Sequence, residues 1–213
     1  MSTVPLDATE REQLCDLFLE LGPEAPTLCE GWAALDLAAH LVIRERDPRG
    51  GLVILGGARF SGLEDKLMGR AKDRGLDALV ATLRKGPPPV PWRLPGLRPL
   101  LNLNEWFVHH EDVRRANGQP PRTDVAGLEE ALWGTLGGGA GRLMVRSLGD
   151  VGLTIAAPDR GEKVLRKGTP TATLTGAPQE LALYLNGRRT HAEVTLTGDP
   201  TATQSLTTTN LGV

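Results

Sequence analysis

The chain carries four histidines, His40, His109, His110 and His191, and the chemistry it offers gathers around them. The segment Asn104-Glu-Trp-Phe-Val-His-His-Glu-Asp-Val113 sets Glu105 and His109 four positions apart. On a helix that step stacks both side chains on one face. A carboxylate and an imidazole so placed can bind one metal ion, although solvated helix faces carry the same pair by chance. His40 stands in Asp36-Leu-Ala-Ala-His-Leu-Val42, beside Leu37 and Leu41 on an amphipathic segment otherwise poor in polar atoms. A histidine there is either a satisfied core residue or a ligand. His40, Glu105 and His109 together make two imidazoles and one carboxylate on two helices. Three protein ligands leave a coordination position for water or substrate. Nitrogen and oxygen donors suit Zn²⁺ first, with Ni²⁺, Fe²⁺ and Mn²⁺ compatible.

The remaining reactive residues have plainer readings. His110 faces about 100° away from His109 on a helix, so it is expected to support the site from behind or to face solvent. Asp112 is placed either to accept the spare N–H of a ligating imidazole or to face water. His191, in the run Arg188-Arg-Thr-His, is expected to be exposed. Cys15 and Cys29 have no CxxC spacing, so both are read as reduced thiols and neither as a metal ligand. Gly137-Gly-Gly-Ala-Gly141 lacks the Gly-Lys-Ser/Thr of a phosphate-binding loop; it reads as a close helix contact or a break.

The elements that must position these groups follow from periodicity. Leu14, Leu17, Phe18 and Leu21 repeat at helical steps, predicting a helix over 7–21 that ends at Gly22-Pro23, with Thr9 and Glu12 as a candidate capping box. A second helix is predicted over 35–46, with Asp36 in its first turn but Ala33-Ala34 where a Ser or Thr cap is expected. A third covers 63–84, weakened at Gly69 and Gly75. A Pro-rich connection occupies 86–99. A fourth helix covers 99–117, closed by Gly118, and a fifth 124–148. The texture then changes: 151–156, 163–166, 172–176 and 192–198 read as strands, 178–186 as a short helix, and 200–206 as a last helical turn. The expected organisation is a helical body over 1–148 and a small α+β unit over 149–213.

Composition narrows the class. With 24 Lys and Arg against 26 Asp and Glu there is no basic excess or stripe, which argues against nucleic acid as a partner. Aromatics are only 4%, so the core must rest on Leu, Val and Ala. No apolar run approaches the ~20 residues of a membrane-spanning helix. The stretch Met1–Asp7 has neither a basic nor an apolar signal region, so a cytoplasmic location is expected.

The run Thr27-Leu-Cys-Glu-Gly-Trp32 followed by Asp36-Leu-Ala-Ala-His40-Leu resembles the second-helix motif of the mycothiol-dependent maleylpyruvate isomerase family. Glu105-Trp-Phe-Val-His109-His-Glu-Asp112 is similar to that family's second motif, a Glu-x-x-x-His with an Asp shortly after. The segment Leu174 to Arg188 is similar to its C-terminal domain. The resemblance implies a DinB-like four-helix bundle followed by a small α+β domain. It makes His40, Glu105 and His109 the metal ligands and Arg188 a catalytic-site contact for the substrate. It names mycothiol as the thiol, and a small electrophile as the molecule acted on. The Ala33-Ala34 helix start and the Pro-rich loop depart from the pattern and bear on the substrate more than on the metal.

Two functions are therefore expected. In the first, a divalent metal lowers the pKa of a thiol supplied by a small cofactor, and the thiolate serves a transferase or isomerase reaction. In the second, the protein is a non-catalytic metal- or ligand-binding module. The sequence shows no obvious general base besides the ligands, which keeps the second open. Either fits a monomer or a homodimer.

Overall fold

The structure is a computed structural model that describes residues 4–47, 61–88, 98–123 and 125–212. Most of the Pro-rich stretch, 89–97, lies outside the described residues. The chain is mostly helical, with a small mixed sheet toward its C-terminal end. It divides into two compact units, Met1–Pro95 with His109–Pro121, and Gly96–Val108 with Arg122–Val213.

In the first unit, α1 (Leu6–Leu21) packs on α4 (Leu76–Arg84), and α2 (Ala34–Arg46) packs on α4 and on α3 (Ser61–Lys72). The buried residues of α1 include Leu14, Leu17 and Phe18, three of the four that periodicity marks out, together with Cys15, and those of α4 are Leu76, Leu79, Val80 and Leu83. Each fully buried Leu contributes about 1.5–3 kcal/mol by leaving water. The expected capping box at Thr9 does not form. Pro5 stands at the N-cap, so Thr9 already lies inside the helix and its hydroxyl donates back to the Pro5 carbonyl at 3.4 Å. The weak start of α2 is repaired from within: the Asp36 carboxylate accepts the Ala33 N–H at 3.0 Å. The single helix expected over 63–84 is two helices, broken at Gly75, whose φ of 77° no β-carbon-bearing residue adopts easily.

Helix α5 (Arg98–Ala116) runs through both units. The helix expected over 124–148 is interrupted at Gly137-Gly138 into α6 (Leu128–Leu136) and α7 (Gly139–Met144), with a 3₁₀ turn at Arg146–Leu148. The sheet of the second unit has the order β2-β1-β3-β4: β1 (Gly152–Ala157) and β2 (Gly161–Arg166) are antiparallel, β1 and β3 (Thr171–Thr175) parallel, β3 and β4 (Thr195–Gly198) antiparallel. Ile155 and Leu174 pair across β1 and β3, both fully buried. Helix α8 (Pro178–Leu185) packs on α6, and α9 (Pro200–Thr208) on β3 and β4.

Candidate metal centre

The loop between α1 and α2 is shaped by its own polar groups. Thr27 Oγ1 donates to the Trp32 carbonyl at 2.8 Å and accepts the Cys29 N–H at 3.1 Å. The Trp32 N–H donates to the Cys29 carbonyl at 3.0 Å, a tight turn whose third residue, Gly31, has φ 75°, the position that favours glycine. The Leu28 N–H donates to the main-chain carbonyl of Asp112 at 3.1 Å, which ties the loop to α5. Trp32 is thereby set against His40, with ring centroids 5.1 Å apart.

His40, on α2, lies with its ring centroid 5.6 Å from that of His109 and nearly perpendicular to it. Glu105 stands one turn before His109 on the continuous helix α5. The three residues offer one ligand atom each, all within 4.8 Å of one another. His40 and Glu105 are half-buried, and His109 is buried. The donor set, two imidazoles and a carboxylate converging on a partly open position, fits a divalent cation of the zinc type.

Asp112 does not face water. It is fully buried, and its Oδ2 lies 2.9 Å from His109 Nδ1. With the proton on Nδ1, the lone pair at Nε2 is the one left for an ion, the arrangement that orients ligating histidines. The same oxygen accepts the Cys29 thiol at 3.2 Å. Cys29, His109 and Asp112 thus form a second group that could hold a metal ion, sharing His109 with the first. Sequence reasoning missed this: Cys29 was expected to be a plain thiol outside the site. Its loop has no periodicity and stands 83 positions from Asp112. In the second set Cys29 Sγ lies 4.0 Å from His109 Nδ1, the nitrogen that also faces Asp112.

His110 is not a surface residue. It is buried, and its Nδ1 lies 2.9 Å from Oε2 of Glu10 on α1, itself fully buried. This pair fastens α1 to α5. His191 is exposed. Arg188 is half-buried in the second unit, its Nη1 donating to the Asn186 carbonyl at 2.6 Å. The two thiols differ: burial, with Glu12 adding to it, pushes Cys15 up to about 12, whereas Cys29 is half-buried.

Among solved structures, the chain is similar to a crystal structure of the mycothiol-dependent maleylpyruvate isomerase, with a TM-score of 0.54 at 16% identity, over 93% of this chain and 97% of that one. It is equally similar to a histidine-to-alanine variant of that enzyme, with a TM-score of 0.55 at 16% identity over the same shares. The likeness is one of fold. No protein-family model matches the chain, and no curated protein matches it. No helix among the described residues is long and apolar enough to cross a membrane.

Proposed function

We propose that the protein binds one divalent cation, Zn²⁺ by preference, through His40, Glu105 and His109, and uses mycothiol in a transfer or isomerisation on a small electrophile. The observation that carries this reading is the convergence of those three donors within 4.8 Å, with Asp112 fixing the tautomer of His109. It is supported by the fold shared with the mycothiol-dependent maleylpyruvate isomerase over 93% of the chain, and by the two sequence motifs that carry the donors in the same order. In this reading 1–148 is a DinB-like four-helix bundle domain and 149–213 the small α+β domain.

A bound divalent cation would lower the pKa of a coordinated thiol, so that thiolate forms near neutral pH. The chain's own residues do the rest. Asp112 holds the proton of His109 at Nδ1. Trp32 packs against His40, with ring centroids 5.1 Å apart and the planes tilted by 52°. Cys29 donates its thiol hydrogen to Asp112 at 3.2 Å and so helps hold that carboxylate in place. Arg188 is proposed to pair with an anionic group of the substrate, for which a planar guanidinium is suited.

The test is calorimetric titration of mycothiol into the protein with and without one equivalent of Zn²⁺, followed by thiol consumption with a panel of small electrophiles. Metal-dependent thiol binding and turnover are expected. Metal binding with no thiol binding would leave a non-catalytic metal-binding module.

A further inference from the structure

Cys29, His109 and Asp112 all lie within the first unit. Main-chain hydrogen bonds carry the thiol to the helix. Thr27 Oγ1 accepts the Cys29 N–H at 3.1 Å, and the Cys29 carbonyl accepts the Trp32 N–H at 3.0 Å. One residue earlier, the Leu28 N–H donates to the main-chain carbonyl of Asp112 at 3.1 Å. The loop therefore brings Cys29 to α5 through contacts of its own backbone.

The three donor atoms form a triangle. Cys29 Sγ is 3.2 Å from Asp112 Oδ2 and 4.0 Å from His109 Nδ1, and those two atoms are 2.9 Å apart. Ligands held about 2.0–2.3 Å from a tetrahedral ion stand about 3.3–3.6 Å from one another. The sides of the triangle bracket that range, so changes of under about half an ångström per side would admit an ion. Asp112 is fully buried and His109 buried, whereas Cys29 is half-buried. A cation would compensate the charge of the buried carboxylate. The donor set differs in kind from that of His40, Glu105 and His109. It contains sulfur, and thiolate selects soft ions where imidazole and carboxylate alone do not.

The two sets share one imidazole. A neutral imidazole has one acceptor nitrogen at a time. Whichever ring nitrogen the set with His40 and Glu105 uses, an ion on His109 Nδ1 takes the lone pair that set needs.

We propose that Cys29, His109 and Asp112 form a second cation seat, selective for a thiophilic divalent ion, and that an ion there withdraws His109 from His40 and Glu105. On binding, the thiol hydrogen leaves as a proton, and the imidazole keeps its hydrogen at Nε2. The seat itself stands apart from the proposed function; only the competition rests on that reading.

The experiment titrates Cd²⁺ into the full-length protein stripped of metal and follows the ultraviolet sulfur-to-cadmium charge-transfer band, with bound metal counted after dialysis. The band is expected to saturate close to one ion per chain. It should persist in His40→Ala and vanish in Cys29→Ser, which should still take up Zn²⁺. In Asp112→Asn the ion should bind more weakly by at least the about tenfold that outer partners of metal ligands cost. Cd²⁺ added to the Zn²⁺-loaded protein should release Zn²⁺, so that the total stays near one ion. A wild-type protein without the band overturns the seat. So does a band that survives Cys29→Ser, which would assign the sulfur to Cys15, or a band lost in a His40→Ala protein of unchanged circular dichroism. Cd²⁺ and Zn²⁺ held together on one chain overturn the competition. Failure of the metal-thiol reading shows instead as absent Zn²⁺ or mycothiol binding with the band intact.

Discussion

Oδ2 of Asp112 stands 2.9 Å from Nδ1 of His109, three residues back on the same helix. That contact decides which imidazole nitrogen faces a ligand. It also places a fully buried carboxylate beside the cluster, where a cation at His109 would compensate its charge.

Replacing Asp112 with Asn keeps the shape and removes the charge. Metal affinity is expected to fall about 10–100-fold, as for other partners of ligating histidines, with the helical content unchanged. Competition of the variant against a chromophoric chelator measures this. Affinity equal to that of the wild type would show that Asp112 does not orient the ligand.

Glu10 and His110 supply a contrasting case. Glu10→Ala leaves a buried imidazole N–H without its carboxylate and is expected to destabilise by about 1–3 kcal/mol. For a chain of this size that lowers Tm by about 2–4 °C per kcal/mol. Metal content should not change, because this pair fastens α1 to α5 and is not itself in the proposed ligand set. Thermal unfolding alongside metal analysis separates the two effects, and a loss of metal without a loss of Tm would reverse the assignment.

The cysteines make a prediction about reactivity. Cys15 is fully buried with its thiol pushed up to about 12. Its pKa is raised in the fold, so at pH 8 only about one molecule in ten thousand carries a thiolate there. Iodoacetamide at pH 8 should add one adduct to the native protein, at Cys29, and two after denaturation. Intact-mass analysis reads this directly, and rapid labelling of Cys15 in the native state would contradict the buried placement.

Much of this was legible in the residues. The four-residue step from Glu105 to His109, the apolar surroundings of His40 and the place of Asp112 one turn on are local patterns, and α5 carries Glu105, His109 and Asp112 as spacing requires. The weakness at Gly75 announced the break between α3 and α4, and Gly137-Gly138 that between α6 and α7. What escaped was set by long-range contacts. No periodicity in the α1–α2 loop points Cys29 at Asp112. The spacing of His110 gave its direction but not that Glu10 would cover that side. Thr9 had the right residue type for a cap, but Pro5 began the helix a turn earlier and left it inside.

The most direct measurement is Zn²⁺ stoichiometry of the His40→Ala protein against the wild type, by metal analysis after dialysis, with thermal unfolding as the control. His40 is half-buried, so truncating it should shift Tm by only a few degrees, corresponding to about 1 kcal/mol. The account predicts close to one ion per chain in the wild type and almost none in the variant. Unchanged stoichiometry in His40→Ala would contradict it, and its loss in Cys29→Ser instead would move the ion to Cys29, His109 and Asp112.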